Sequence, residues 1–421
     1  MESVLQESSK ARLKNSVDYD IIMFALPRWD GNYSSTAYSL AKALSKHTRV
    51  FYIDNPFTLK YFLTDRNSEQ IQRRKQALIQ GKNIFTKPDS EYPGLVAVTP
   101  RLTLPVNWMP PGFLYNAFSK VNDQIVSEAI NKTIRVYGIR KFVFINSFNP
   151  LFGKYLSFSV KPFLKVYHAV DDISQSEYLD KHGVLLEREA MKGADLTIVT
   201  SSELKRLSER HTKHVYLLPN AANVRLFQKA LLNTLPMPEE IQRLPKDSKI
   251  ITYAGNICHR IDYELLVKIA KHNPDKVLLM IGPFANDNYR KSGLDKLANV
   301  VFTGKKNLEA LPSYLKYSHC CIIPFLCNQL TRSIYPLKVN EYLSTGKPVV
   351  TTNFSEDILS FRNVIYTSEN HEEFLKNIDN AIANDKEESR LERLLAARDN
   401  NWEDRARQFT GIVEEFLQWR I

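Results

Sequence analysis

Short apolar, β-branched runs recur along this chain, each followed by a turn and then by apolar residues at helical spacing. Residues 19–26 (YDIIMFAL) lead into a turn-rich loop, 27–35. A helix with Ala37, Leu40, Ala41 and Leu44 on one side comes next, and then a second run, 48–53 (TRVFYI). Strand, loop, helix, strand at this spacing opens a parallel α/β unit, because parallel strands need a crossover long enough to hold a helix. The rhythm returns at 141–145, 164–167 and 195–200. It starts again at 249–253 and continues through 277–281, 300–302, 320–324 and 348–351. Two such series predict two Rossmann-like domains, which 421 residues readily supply.

The expected division follows from composition shifts. Residues 1–18 are polar and read as a flexible leader without the apolar core of a signal peptide. Residues 19–228 form the first domain. Pro236, Pro238 and Pro245 mark 229–248 as a linker, and 249–400 form the second domain. Residues 401–421 read as a last helix, with Ala406, Phe409, Ile412, Val413, Phe416 and Leu417 at helical spacing. The loop after the first strand lacks Gly-x-Gly-x-x-Gly, which argues against a nicotinamide or flavin site. Cys258, Cys320, Cys321 and Cys327 show no ligand-pair spacing, so buried free thiols in a reducing compartment are expected, and no metal. No apolar run reaches the roughly 18 to 20 residues that span a bilayer.

Charge is unevenly placed. Residues 1–230 hold 32 Lys and Arg against 21 Asp and Glu, leaving 25 of each for the remainder. The whole formal excess of +11 therefore lies in the first half. A basic half-molecule suits nucleic acid, anionic lipid or an anionic substrate, or simply solubility. Aromatics interleaved on a basic stripe are absent, so no nucleic acid is expected. Residues 57–79 carry Arg73, Arg74 and Lys75 beside Ile71, Ala77, Leu78 and Ile79. Residues 102–118 (LTLPVNWMPPGFLYNAF) are aromatic-rich and uncharged. Together they form either a basic and apolar surface for a membrane or loops packed on the sheet.

The densest chemistry lies in 333–352 (SIYPLKVNEYLSTGKPVVTT). Pro336 suits a first helical turn, Val339, Tyr342 and Leu343 share an apolar face, and Gly346 stops the helix. Lys338 and Glu341 stand three apart and project from one side. A helix start favours a phosphate, a cation adds to it, and a carboxylate one turn on can take ribose hydroxyls. An ordinary loop–helix–strand unit with solvated charges satisfies the same pattern.

Tyr-Pro-Leu-Lys-x-x-Glu-Tyr-Leu at 335–343 resembles the donor-binding signature of glycosyltransferase family 4 (group 1), in the form carried by enzymes that assemble bacterial surface polysaccharides. The resemblance implies the GT-B fold: two Rossmann-like domains facing a cleft, with a C-terminal helix returning to the first domain. It further implies a retaining transfer from a nucleotide diphosphate sugar. Ser333 stands where the family's first Glu of a Glu-x7-Glu pattern usually stands, and Glu341 matches the second, which binds ribose. Tyr253-x-Gly255 followed by Arg260-x-Asp262 matches the family's turn after the first strand of the second domain. Arg260 can fork onto a diphosphate, and Asp262 caps the next helix. The donor set is therefore Gly255, Arg260, Ser333, Tyr335, Pro336, Leu337, Lys338 and Glu341.

The family's Tyr-x-x-x-Asp-Asp run matches Tyr167 to Asp172, at a strand's carboxyl edge where open α/β sheets bind ligands. His168, with Asp171 and Asp172, is the expected catalytic group facing the acceptor; a His satisfied by backbone and an Asp172 that only starts a turn are the alternatives. The resemblance makes the loop Trp29, Asp30, Gly31, Asn32 and Tyr33 the acceptor side, with Trp29 and Tyr33 either stacking on a sugar or lipid or packing inward. The expectation is a hexosyltransferase acting on a glycan or lipid-linked acceptor, without metal or cofactor, with a UDP- or GDP-linked sugar as donor substrate. It would be cytoplasmic, in peripheral contact with the anionic inner face of the plasma membrane. Two rivals stand beside it. A nucleotide-sugar 2-epimerase would form product without acceptor, and a non-catalytic binding member would turn nothing over.

Overall fold

The computed structural model describes residues 17–31, 35–175 and 180–420. The chain divides into two compact units, one of residues 1–200, 204–218 and 406–421, the other of 201–203 and 219–405.

The first unit is built on an eight-stranded sheet. Its strands are β1 (Asp20–Ala25), β2 (Val50–Ile53), β3 (Phe85–Thr86), β4 (Leu95–Val98), β5 (Phe142–Ser147), β6 (Leu164–Ala169), β7 (Leu196–Val199) and β8 (Val215–Leu217). They run in the order β3-β4-β2-β1-β5-β6-β7-β8, all parallel except the two-residue β3. β1, β2 and β5 are buried along their whole length, as expected of strands covered on both faces. The order reverses at β1, so the loops after β1 and β5 open side by side at the carboxyl edge.

Two segments differ from the sequence-based reading. Residues 57–79 are two helices, Leu59–Thr64 and Glu69–Gln80, rather than a loop. The aromatic stretch 102–118 is a loop only as far as Gly112; helix Phe113–Tyr137 starts there. Pro110, Pro111 and Gly112 break the chain before the helix, and nothing from Phe113 onward does, while Tyr115 gives its first turn a buried anchor.

The second unit carries six parallel strands, β9 (Lys249–Ala254), β10 (Lys276–Ile281), β11 (Val300–Gly304), β12 (Cys320–Ile323), β13 (Val349–Thr352) and β14 (Tyr366–Ser368). Their order is β11-β10-β9-β12-β13-β14, with its reversal at β9. One continuous core runs through it, from Phe227 through Ile251, Leu279 and Val339 to Phe374. Residues 229–248, read as a linker from their prolines, are folded against this unit. Ile241 is buried, Glu240 pairs with Lys306 and Tyr314, and Lys316 Nζ donates to the carbonyls of Leu232 and Asn233 at 2.9 and 3.1 Å. Helix Trp402–Trp419 begins among residues of the second unit, and from Ala406 onward it groups with the first. No helix among the described residues is long and apolar enough to cross a membrane.

Candidate functional site

The second unit's site forms at the carboxyl end of β9, where the strand order reverses. Helix Leu337–Leu343 is clamped onto that end by two side chains four apart. Lys338 Nζ donates to Ala254 O at 2.7 Å, and the Tyr342 hydroxyl accepts from Ala254 N at 2.9 Å and donates to Ala254 O at 3.2 Å. The Lys338 ammonium also sits 5.5 Å from the centre of the Tyr253 ring, whose own hydroxyl donates to Asn256 O at 2.9 Å. Gly255, at φ +154°, leaves room for the lysine: a Cβ there would lie 2.1 Å from Nζ. Gly282 at the end of β10, at φ +145°, would put a Cβ 1.9 Å from Gly255 O. Three successive strand ends are tied through glycine backbone, Gly255 N to Ile281 O at 2.7 Å and Gly282 N to Gly304 O at 3.0 Å.

Charge converges on this ledge. Burial holds the Lys338 ammonium below its ordinary range; Glu341 opposes that shift and Arg260 adds to it. Burial likewise pushes the Glu341 carboxyl up, against the pull of Lys338. The Arg260 Nε–H is shielded from solvent and has no hydrogen-bond partner among the described residues. Two cations and one carboxylate thus crowd a glycine-lined strand end, with a buried guanidinium donor unused. That arrangement is short of an anion.

The remaining residues of the donor set turn inward. The Ser333 hydroxyl donates to Leu330 O at 2.8 Å, while Ser333 O accepts from Ser201 Oγ at 2.6 Å. Tyr335 is buried and its hydroxyl lies 3.4 Å from Asn340 Nδ2. Pro336 caps the helix, and Leu337 N donates to Tyr335 O at 2.8 Å. Asp262 caps helix Tyr263–His272 through Leu265 N at 2.9 Å and also meets His371 Nε2 at 2.9 Å.

In the first unit, the loop after β1 is held by an ion-pair network that local sequence patterns conceal. Arg74 donates to both oxygens of Asp30 at 2.7 Å and to Asp54 Oδ2 at 3.3 Å. Asp54 is fully buried, takes Trp29 N at 3.1 Å, and has its carboxyl pushed up to about 6 by burial, against the pull of Arg74. Arg28 donates to Asn55 O at 3.0 Å and stacks 3.6 Å from the centre of the Phe57 ring. Trp29 Nε1 is shielded and has no hydrogen-bond partner among the described residues, while Gly31 is exposed. Asn32 and Tyr33 lie outside the described residues.

His168 ends β6 and is buried, its Nδ1 3.0 Å from Ser147 Oγ on the neighbouring strand. Its Nε2 has no hydrogen-bond partner among the described residues, and burial lowers its pKa to about 4, so the ring is neutral near pH 7. Asp172 accepts from Ser174 N at 3.0 Å and Ser174 Oγ at 2.7 Å, which starts the turn at Ile173; Asp171 beside it is partly buried. Sequence reasoning missed Tyr342, Gly282, Asp54 and Arg74. Arg74 alone had a legible signal, because it shares a helical face with Ile71 and Leu78.

Parts of this chain are similar to known proteins. Residues 248–384 match the family model of the group 1 glycosyl transferases. A segment of 109 residues is 30% identical to TuaH of Bacillus subtilis (strain 168), a protein assigned to teichuronic acid biosynthesis as a glycosyltransferase; it spans 26% of this chain and 28% of that protein's length. Among solved structures, sucrose-phosphate synthase of Thermosynechococcus elongatus superposes with a TM-score of 0.64 at 16% identity, over 95% of this chain and 99% of that one. The trehalose-6-phosphate protein of E. coli, bound with UDP-2-fluoro glucose, gives 0.63 at 11% over 93% and 98%. Anabaena HepE, in complex with UDP and glucose, gives 0.61 at 12% over 93% and 99%. At such identities the likeness is one of fold, and the fold class is that of the GT-B glycosyltransferases.

Proposed function

We propose that this chain, whose residues 248–384 match the family model of the group 1 glycosyl transferases, moves a hexosyl group from a nucleotide diphosphate sugar to a hydroxyl of a glycan or lipid-linked acceptor in cell-surface polysaccharide synthesis. The carrying observation is the unpartnered Arg260 Nε–H beside the buried Lys338 ammonium at the glycine ledge. A diphosphate supplies the missing acceptors, and the same two cations stabilise the charge that grows on it as the glycosidic bond breaks. Glu341 holds the ribose hydroxyls, and Gly255 lets the phosphates approach backbone. Ser333, Tyr335, Pro336 and Leu337 act by fixing where that helix begins.

In the first unit, His168 presents its free Nε2 to the acceptor hydroxyl as a neutral ring, able to take a proton. Trp29 and Gly31 form the acceptor side with it. The configuration at the anomeric carbon is retained, a reading supported by the family resemblance. Neighbours holding UDP and UDP-2-fluoro glucose make uridine the first base to test. The basic excess of the first unit supports peripheral contact with an anionic membrane.

A thermal-shift panel of UDP, GDP, ADP, dTDP and CMP, each with and without EDTA, tests the donor site. The expected result is a shift with one diphosphate, unchanged by EDTA and absent in Arg260→Ala and Lys338→Ala. No shift with any nucleotide would sink the donor assignment and leave a non-catalytic binding protein.

A further inference from the structure

The first unit carries an apolar face that its own fold leaves uncovered. Trp108, Phe113 and Leu114 are 71%, 84% and 60% exposed where the 104–112 loop enters helix Phe113–Tyr137. Phe118 and Val121 continue the exposed side of that helix. Helix Leu59–Thr64, which exposes Leu59, Tyr61 and Leu63, is stitched to the start of the same segment: Leu59 N donates to Thr103 O at 2.8 Å and Thr103 N to Phe57 O at 3.0 Å.

The display is pinned from behind by hydrogen bonds and packing. Asn122 grips Leu104 N and O at 2.8 and 3.0 Å, and His182 Nε2 lies 2.9 Å from Met109 O while its ring stacks 4.0 Å from that of Tyr115. Lys181 Nζ donates to Trp108 O at 2.6 Å, and Val106, Met109 and Tyr115 are buried beneath. The exposed rings are therefore held outward by neighbours that point inward. Trp108 Nε1 already donates to Pro105 O at 2.8 Å, so the one polar group of the indole is satisfied and its ring offers mainly carbon to the outside. A fixed apolar patch of this kind marks an interaction surface.

Charge decides the occupant. No Asp or Glu occurs between Glu91 and Asp123, and Asp123 is spent inward on Gly153 N and Tyr155 N. Asp65, the acidic C-cap that ends helix Leu59–Thr64, accepts from the Tyr61 hydroxyl. Lys60, Arg101, Lys120 and Lys181 are exposed. A second copy of the chain would set cations against cations, whereas an anionic bilayer matches both the carbon and the charge.

We propose that this face docks the protein on a bilayer: Trp108, Phe113 and Leu114 enter the headgroup region of an anionic leaflet, and Lys60, Lys120 and Lys181 meet its phosphates. The inference rests on the reading of the basic first unit as the membrane-contacting one and sharpens it to particular side chains.

The test is flotation of the full chain with vesicles of phosphatidylcholine alone, and of phosphatidylcholine with about one-third phosphatidylglycerol. Wild type should float with the anionic vesicles. The triple variant Trp108→Ser, Phe113→Ser, Leu114→Ser should partition at least about tenfold more weakly, with its Tm and nucleotide-induced thermal shift unchanged. Lys60→Glu with Lys120→Glu should weaken flotation most at low salt. Undiminished flotation of the triple variant overturns this face while leaving membrane contact standing, and no flotation of wild type overturns both. If wild type is dimeric and the triple variant monomeric with equal flotation, the face belongs to a second copy and the proposal fails.

Discussion

An alanine at position 255 would have to hold φ at +154° and place its Cβ 2.1 Å from the Lys338 ammonium. The lysine would lose its seat on Ala254 O, and the diphosphate would lose one of its two cations. Gly255→Ala should therefore abolish the nucleotide-induced thermal shift. Gly411→Ala, in a helix where an added Cβ meets nothing within 4 Å, should stabilise by roughly 0.5–1 kcal/mol and leave nucleotide binding intact. A second single-residue expectation concerns Glu187, whose carboxyl burial raises to about 8, while Tyr167 OH donates to it at 3.0 Å. A raised carboxyl keeps a proton that the unfolded chain releases, so its contribution to stability is present below about pH 4.5 and lost as pH climbs to 8. Glu187→Gln removes that loss, so its Tm relative to wild type should be higher at pH 8 than at pH 5, by about 2–4 °C; parallel Tm curves would refute the assignment. At this scale the sequence revealed residues whose spacing carries meaning: Lys338 and Glu341 three apart, Asp262 as a cap. It hid those whose partners are distant. Tyr342 reads as one more apolar position because nothing local shows its hydroxyl reaching Ala254, and Arg74 reads as part of a basic surface although it is buried against Asp30 and Asp54.

Among the elements, helix Phe113–Tyr137 does the most unseen work. Asp123, Ser127 and Asn131 stand four apart on one of its faces and take amides from the segment 153–159 running beside it. Asp123 accepts from Gly153 N at 3.0 Å and Tyr155 N at 2.7 Å, Ser127 from Ser157 N at 2.9 Å, and Asn131 from Ser159 N at 2.7 Å. Every fourth residue of the helix thus meets every second residue of 153–159, so side chains satisfy amides that no strand partner takes up. Asp123→Ala leaves two half-buried amides unpaired and should cost about 1–3 kcal/mol, read as a lowered urea midpoint; Asp123→Asn, which keeps an acceptor, should cost less. The central strands and most helices were legible because apolar runs and their periods are local facts. β3 and β4 were not, since two residues and four residues between Gly, Pro and polar neighbours give no period to count. The start of this helix inside the aromatic stretch was obscured because its first turn faces outward and so breaks the pattern of a buried stripe.

For the whole molecule, the rhythm of strands and helices made two α/β units legible, and the charge map adds what the fold cannot say. The first unit holds 32 basic and 22 acidic side chains, the second 25 and 24. The unit proposed to bind a diphosphate is thus nearly neutral, and the unit proposed to meet lipid carries a net +10. Salt acts differently on the two. Charges spread over an exposed face are screened within about 10 Å at 0.1 M and about 3 Å at 1 M, while partly buried cations held against a ligand are screened far less. Nucleotide affinity, resting on Arg260 and Lys338, should therefore change by less than about threefold between roughly 0.05 and 0.5 M salt. Vesicle partitioning should fall by more than about tenfold over the same range, leaving a residue due to Trp108, Phe113 and Leu114. Titrating one preparation by both assays checks this. A nucleotide affinity that collapsed with salt alongside vesicle binding would mean that a diffuse surface field, rather than the glycine ledge at the end of β9, holds the diphosphate.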